Sequence, residues 1–337
     1  MSQNKETEIQ LQYIEKCKEL LAKSSTKHPT FHIQNEGCQM NSIQTESIAA
    51  IMEKMGYEMV DTEDADAVVF NTCTVRENAN QKIYGHLGHL KSIKREHPDM
   101  KIVLFGCMMQ EHHVVEKIRK DYKYVNLVFG THNIHKFPEL FYRALQTDEQ
   151  IIDIWKESDE IVEGMPTSRK YSFKTGVSVM FGCNNFCSYC IVPYVRGRET
   201  SRPIESIAAE LAGLSSEGIH EVTLLGQNVN SYGRDLYGRP RFAEVLALAG
   251  QSGVERVRFV TSHPKDLLPE TIEAMAAYDT IMPQLHLPLQ SGSDRILRAM
   301  NRSYTVERYL GLVRDLRRAC PDISLSTDII IGFPGET

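Results

Sequence analysis

Cys183, Cys187 and Cys190 stand in one short loop, Cys183-Asn184-Asn185-Phe186-Cys187-Ser188-Tyr189-Cys190, with the spacing C-x3-C-x2-C. A [4Fe–4S] cluster has four irons, and each takes one ligand from outside the cube. Three thiolates leave one iron open to a small molecule, so this loop reads as a reaction centre rather than an electron wire. Structural zinc takes four ligands, usually from two separated C-x2-C pairs, and this spacing does not supply them. Three further cysteines, Cys38, Cys73 and Cys107, recur at intervals of 35 and 34 residues, about one strand–helix unit each. Cys17 and Cys320 fit neither pattern and read as ordinary core cysteines.

These thiols need elements to position them. Residues 176–181 alternate and are rich in β-branched side chains, the pattern of a strand, and Gly182 frees the backbone to turn. Residues 204–217 then read as an amphipathic helix with Ile204, Ile207, Ala208, Leu211 and Leu214 on one face. The gap between a strand's C-terminal end and the next helix is where βα architectures put chemistry. The N-terminal half alternates strands at 30–34, 67–70, 101–105 and 125–129 with helices at 43–55, 77–95 and 110–120. That rhythm predicts a parallel sheet covered on both faces. Cys38, Cys73 and Cys107 each fall just past a strand, so all three emerge on the carboxyl edge, where open α/β sheets bind ligands. Gly37 and Gly106 allow close backbone approach, and a helix N-terminus after each cysteine favours the thiolate. The three can therefore share a second cluster, again with one iron lacking a protein ligand.

After the cysteine loop, strands are expected at 221–226, 256–260, 284–289 and 324–331, with helices near 242–250, 269–277 and 305–319. Gln227, Asn228, Asn230, Ser262, His263, Gln290 and Ser291 gather at the strand ends. Each either caps its loop or touches a cofactor, and His263, before Pro264, reads first as structural. Asp328 lies inside the last apolar strand and is expected to point into a barrel toward a polar partner.

The chain's 337 residues suit two ordinary domains, and 42% hydrophobic with 24% charged residues is typical of a soluble globular protein. No stretch approaches the length of a membrane-spanning helix, so no membrane association is expected. Residues 1–27 are polar and lack the apolar core of a secretory signal. Eight cysteines without an export signal point to reduced thiols and metal in the cytoplasm, not to disulfides. The net charge of −6 argues mildly against a nucleic-acid partner. Basic residues do cluster at Arg169 and Lys170, at Arg196, Arg198 and Arg202, and at Arg314, Arg317 and Arg318; the second cluster follows the cysteine loop and is placed to face the site.

A C-x3-C-x2-C loop after a first barrel strand resembles the radical S-adenosylmethionine enzymes. With three strand-end cysteines ahead of it, the chain resembles their methylthiotransferase family. The matching pieces are Gly37-Cys38-Gln39-Met40-Asn41, Asn71-Thr72-Cys73-Thr74-Val75-Arg76, Gly106-Cys107-Met108 and the run from Cys183 to Arg202. Further pieces are Gln227-Asn228-Val229-Asn230-Ser231-Tyr232-Gly233, Ser262-His263-Pro264, Leu287-Pro288-Leu289-Gln290-Ser291-Gly292-Ser293 and Gly332-Phe333-Pro334-Gly335-Glu336-Thr337. The resemblance covers nearly everything after residue 30.

The resemblance implies an α/β fold, with an N-terminal parallel-sheet domain followed by a partial radical S-adenosylmethionine (β/α) barrel. The expected divisions are a polar extension at 1–28, the α/β domain at 29–146, a linker at 147–168 and the partial barrel at 169–337. The implied cofactors are two [4Fe–4S] clusters, on Cys38, Cys73 and Cys107 and on Cys183, Cys187 and Cys190, together with S-adenosylmethionine. In the family the open iron chelates the methionine amino and carboxylate groups, and an electron from the cluster splits the sulfonium to a 5′-deoxyadenosyl radical. A second S-adenosylmethionine donates methyl, and the N-terminal cluster holds or supplies sulfur. Cofactor contacts are expected from Tyr189, Gln227, Asn228, Ser262, Gln290 and Ser291, with no catalytic residue assigned beyond the cluster ligands.

Expected partners are a tRNA, an electron donor of the flavodoxin or ferredoxin type, and a sulfur donor. Gln227-Asn228-Val229-Asn230 after Leu224-Leu225-Gly226 resembles the branch that methylthiolates C2 of N(6)-isopentenyladenosine beside the anticodon. Other branches act on threonylcarbamoyl-adenosine or on a ribosomal-protein aspartate. A reading from another class is a non-catalytic iron–sulfur carrier, although carriers usually saturate their irons with protein ligands. Family members continue with another barrel strand, its helices and a small RNA-binding β-barrel, the TRAM domain, so the sequence reads as C-terminally truncated.

Overall fold

A computed structural model of the chain describes residues 2–24, 28–75, 77–158 and 161–337. Arg76 of the second cysteine motif and residues 25–27 of the polar N-terminal stretch lie outside the described residues. The chain divides into two units, Met1–Lys170 with Tyr194–Arg196, and Tyr171–Pro193 with Gly197–Thr337.

The first unit is built on six strands, β1 Thr30–Asn35, β2 Glu58–Met59, β3 Ala67–Thr72, β4 Lys101–Gly106, β5 Leu127–Phe129 and β6 Ile151–Asp153. They pair in the order β2-β1-β3-β4-β5-β6, and every pair is parallel. β3 and β4 are buried along their whole length, as central strands covered on both faces must be. The two edge strands were not expected, and β6 falls within the stretch read as a linker. On one face Ile48, Ile51 and Met52 of the helix Gln39–Met55 pack with Phe137 and Phe141 of the helix Phe137–Leu145. On the other, Ile83, Leu87 and Leu90 of Glu77–Glu96 pack with Val114 and Ile118 of His112–Asp121. The polar N-terminal stretch forms a helix, Ser2–Ala22, that buries Ile14 and Cys17 in the first of these cores.

The second unit carries β7 Lys174–Ser178, β8 Met180–Phe181, β9 Thr200–Ser201, β10 Glu221–Leu225, β11 Arg256–Phe259, β12 Gln284–His286 and β13 Ser324–Ser326. β7, β10 and β11 form one parallel sheet and β12 with β13 another, with a single parallel bridge from Val257 to Ile281 between them. Ile207 and Leu211, Val245 and Leu246, Ile272 and Met275, and Leu312 and Leu316 bring four helices onto the strand residues Val177, Leu224, Val257 and Leu285. This is a partial (β/α) barrel.

Two strands differ from expectation. The stretch read as one strand at 176–181 divides, because Val179 accepts from Arg202 N–H at 3.0 Å and Met180–Phe181 turns to pair antiparallel with Thr200–Ser201. The last strand ends at Ser326, because the Thr327 hydroxyl accepts from Leu289 N–H at 2.8 Å in place of a ladder carbonyl. Asp328 finds a polar partner, His286 Nε2 at 3.2 Å, but its side chain is 67% exposed rather than turned into a barrel. Among the described residues β13 pairs with β12 alone.

His135 packs its ring edge-on against Trp155, and burial pushes its pKa down to about 4. The unfolded chain therefore binds this proton more tightly, so stability is retained above pH 6.5 and falls as pH drops toward 4. The loss is up to about 3 kcal/mol. Denaturant unfolding of His135→Gln between pH 7 and 4 is expected to show a shallower acid loss than the parent; an equal slope contradicts this.

Candidate functional site

Parallel register delivers the first three thiols. Asn35 pairs with Asn71 and Thr72 with Gly106, so Cys73 and Cys107 leave neighbouring strands side by side. Cys38 caps the helix Gln39–Met55 with extended backbone. Cys73 and Cys107 are buried and Cys38 is exposed. Behind them lies a buried amide network. Asn41 Nδ2 donates to Asn71 Oδ1 at 2.9 Å and to the Thr72 carbonyl at 3.0 Å. Asn71 Nδ2 returns a bond to the Asn41 carbonyl at 2.8 Å, and the Thr72 hydroxyl donates to the Phe105 carbonyl at 2.7 Å. These bonds lock the ends of β3 and β4 and the start of the helix to one another. Cys38 Sγ donates to Asn41 Oδ1 at 3.3 Å. Arg196, also buried, donates from Nε to Cys107 Sγ at 3.1 Å, and from Nη2 to Asn41 Oδ1 at 2.7 Å and Gln44 Oε1 at 3.2 Å.

Cys107 does not have the expected thiolate character. Burial raises its pKa, while Arg196 lowers it and the nearby Cys73 and Cys38 raise it further. Desolvation outweighs the turn that follows the residue. A metal that replaces the thiol proton removes that opposition.

In the second unit, the cysteine loop is fixed by backbone contacts on several sides. Gly182 has φ +74°, and its N–H donates to Gln227 Oε1 at 2.5 Å. Cys183 N–H donates to the Gly197 carbonyl at 3.1 Å, and Asn184 N–H to Glu199 Oε1 at 3.2 Å. Ser188 N–H reaches the Met300 carbonyl at 3.0 Å, and Asn301 Nδ2 reaches the Phe186 carbonyl at 2.9 Å. Lys265 Nζ donates to the Asn185 side chain, and Arg198 lies over the Phe186 ring at 4.5 Å. Arg302 is buried and donates to Cys187 Sγ at 3.5 Å, to the Pro288 carbonyl at 3.0 Å and to Tyr304 Oη at 2.9 Å. Cys183 and Cys187 are buried and Cys190 partly so. Burial pushes the Cys183 thiol up to about 11 and raises Cys190 as well.

The polar residues expected at strand ends divide by role. Gln227 closes the Gly182 turn, and the Ser291 hydroxyl accepts from Ser293 N–H at 3.3 Å. Gln290 and Thr261 hold positive φ, +71° and +64°, a conformation unusual enough outside glycine to mark strain at these strand ends. Asn228 donates to Asp266 Oδ2 at 2.8 Å, and His263 N–H donates to Asn230 Oδ1 at 3.0 Å. Asn228 Oδ1, Asn230 Nδ2 and Ser262 Oγ are buried without a hydrogen-bond partner. His263 stacks edge-on with Tyr304, and burial, reinforced by Arg302 and Lys265, pushes its pKa down to about 2. Its ring stays neutral. Tyr189 is 41% exposed, between the second and third cysteines of its loop.

Both donor sets consist of three soft sulfurs beside a guanidinium, which suits iron–sulfur ligation. Among the described residues no three His, Cys, Asp or Glu side chains close on a single metal ion. The three orphaned polar atoms at the barrel's strand ends suit a polar cofactor such as S-adenosylmethionine. Arg302, Lys265, Glu199 and Asp266 were not anticipated from sequence, since their partners lie far along the chain. Asn71 did carry a signal, as a polar residue in the otherwise apolar run of β3.

The Radical SAM superfamily matches residues 177–337, and Uncharacterized protein family UPF0004 matches residues 30–130. A tRNA-2-methylthio-N(6)-dimethylallyladenosine synthase of Lachnoclostridium phytofermentans is 56% identical over 309 residues, covering 91% of this chain and 68% of that protein. Synthases of the same name from Alkaliphilus oremlandii and Clostridioides difficile are each 50% identical; they cover 92% and 90% of this chain, which spans 66% and 64% of their lengths. The chain thus spans about two thirds of these relatives. Among solved structures, the radical S-adenosylmethionine methyltransferase TsrM from Kitasatospora setae shares the fold at TM-score 0.64 and 14% identity, over 92% of this chain and 69% of its own. The cobalamin-dependent S-adenosylmethionine radical enzyme OxsB does so at TM-score 0.59 and 11% identity, over 90% of this chain and 49% of its own.

A Cβ at residue 182 would run into the Arg198 carbonyl and stand 2.7 Å from that of Gly197. Gly182→Ala is therefore expected to destabilise the second unit by more than the ~1–3 kcal/mol of an unfavourable φ alone. Denaturant unfolding checks it, and a change below about 0.5 kcal/mol contradicts the geometry.

Proposed function

Because this chain belongs to the radical S-adenosylmethionine tRNA methylthiotransferases, we propose that it places a methylthio group on C2 of N(6)-dimethylallyladenosine beside the anticodon of tRNA. The observation that carries this reading is the 56% identity, over 91% of the chain, to a synthase named for that product. The presence of two separate cysteine trios supports it.

In this reading Cys183, Cys187 and Cys190 hold one [4Fe–4S] cluster, and Cys38, Cys73 and Cys107 hold a second. When bound, the first cluster supplies the electron that cleaves S-adenosylmethionine, and the cofactor carries the radical and methyl-transfer chemistry. The chain's own residues bind and orient. Gln227, Glu199, Asn301 and Lys265 hold the cysteine loop in place. Asn228 Oδ1, Asn230 Nδ2 and Ser262 Oγ offer unspent hydrogen bonds to the cofactor, with Tyr189, Gln290 and Ser291 nearby in the same set of strand ends and loop. Two equivalents of S-adenosylmethionine would be needed, one for the radical and one for the methyl group. Cys38, Cys73 and Cys107 would hold the cluster that supplies sulfur, with a sulfur donor to renew it and a flavodoxin- or ferredoxin-type donor to bring the electron. The adenine is met unstacked, as bases of single-stranded RNA loops are. Residues 29–146 serve as the sulfur-holding domain and residues 169–337 as the radical domain, both in the cytoplasm, where tRNA is modified.

Two measurements test this. Nucleosides of tRNA from a strain deleted for the gene are expected to lose 2-methylthio-N(6)-dimethylallyladenosine and accumulate the unmethylthiolated form; an unchanged peak excludes this substrate. Anaerobic reconstitution is expected to give about eight irons per chain, and changing Cys183, Cys187 and Cys190 together to Ala to remove about half. Full retention of iron in that variant contradicts the assignment.

A further inference from the structure

Four Lys or Arg side chains are buried among the described residues: Lys101, Arg196, Arg202 and Arg302. A buried cation is expensive unless an anion meets it. Lys101 meets Asp148 at 3.5 Å, and Arg202 meets Glu210 at 2.7 Å. Neither Arg196 nor Arg302 has a carboxylate among its hydrogen-bond partners in the described residues. Each donates instead to a cysteine sulfur, Arg196 to Cys107 at 3.1 Å and Arg302 to Cys187 at 3.5 Å. Their remaining donors go to neutral oxygens, of Asn41 and Gln44 in one case and of Tyr304 and Pro288 in the other. Among the described residues there are thus two buried guanidinium groups without a carboxylate partner, and one of them lies at each cysteine trio.

We propose that Arg196 and Arg302 are the counter-cations of the two trios, each gripping one ligand sulfur and raising the reduction potential of the cluster bound there. The proposal rests on the reading of both trios as cluster ligands. Reduction of a cluster adds one electron, taken from a low-potential donor, with no bond broken and no proton moved. The added negative charge is favoured by a fixed cation and by hydrogen bonds to the sulfurs. Arginine suits the task because its planar fork can donate to a sulfur and to oxygens at once, and it stays charged when buried. The oxygens of Pro288 and Tyr304 fix the plane of Arg302, and those of Asn41 and Gln44 fix that of Arg196. Both are positioning residues, acting through the sulfur.

The test is a potentiometric titration of the anaerobically reconstituted 337-residue chain, followed by low-temperature electron paramagnetic resonance. Arg302→Gln and Arg302→Lys are read with Cys38, Cys73 and Cys107 changed to Ala, and Arg196→Gln and Arg196→Lys with Cys183, Cys187 and Cys190 changed to Ala. Each parent is expected to hold about four irons. At the parent's midpoint, each loaded Gln variant is expected to stand at least tenfold on the oxidised side, a fall of about 59 mV or more for one electron. The Lys variant is expected to recover at least half of that fall. A Gln variant that loses its iron while the Lys variant keeps it also supports the charge role. An unmoved midpoint in a loaded Gln variant, or equal loss of iron from Gln and Lys variants, overturns the inference alone. A chain with all six cysteines that takes up no iron overturns the cluster reading and this inference with it.

Discussion

Parallel pairing is the constraint from which both candidate sites follow. In the six-stranded sheet, and in both barrel ladders, each strand runs the same way as its partner. Each crossover therefore returns the chain to the same side, and each strand delivers its C-terminal end to the same edge. In the first unit that edge receives Cys38, Cys73 and Cys107. In the second it receives the cysteine loop after β7 and β8, Asn228 after β10, Ser262 after β11 and Gln290 after β12. Residues dispersed along the sequence become neighbours because the topology leaves them no other exit.

Gathering polar groups at buried strand ends has a cost, and each unit meets it differently. In the first, Asn41, Asn71 and Thr72 satisfy one another and the adjoining carbonyls almost completely. The result is a rigid floor beneath three sulfurs. In the second, backbone donors and long side chains pin the loop, while three buried polar atoms are left over. Buried groups left unsatisfied inside an otherwise well-bonded region are where a ligand is most useful, since it recovers a desolvation cost already incurred. The thiols follow the same logic. Burial holds Cys107, Cys183 and Cys190 in their protonated forms, and only a strongly positive ligand such as iron makes the thiolate the better state.

Much of this was legible in the sequence, for physical reasons. The cores of β3 and β4 are continuous apolar runs, which no exposed segment tolerates, and the helices Phe242–Gly250 and Pro269–Ala277 fall where periodicity puts them. The cysteines were legible because their spacing follows the strand–helix repeat. The short edge strands β2 and β6 were not, since two or three residues carry no period. The breaks after Ser178 and Ser326 were hidden too, because a side chain or a returning segment takes over the ladder's hydrogen bonds. Arg302 gave no local signal, as the cysteine it meets lies 115 residues away. Arg196 was half legible: its place after the cysteine loop marked it for a site, and the structure sets it on Cys107. Asp328 was misjudged because an apolar run was taken to mean a covered strand.

The central claim is incomplete ligation, three sulfurs to a cube with one iron left for a guest. Mössbauer spectroscopy of chain reconstituted with 57Fe, before and after S-adenosylmethionine is added, addresses it most directly. The account predicts that about one iron in four of the cluster on Cys183, Cys187 and Cys190 changes its isomer shift and quadrupole splitting while the others stay as they were. A spectrum unmoved by the cofactor, with all irons of that cluster equivalent, would contradict it.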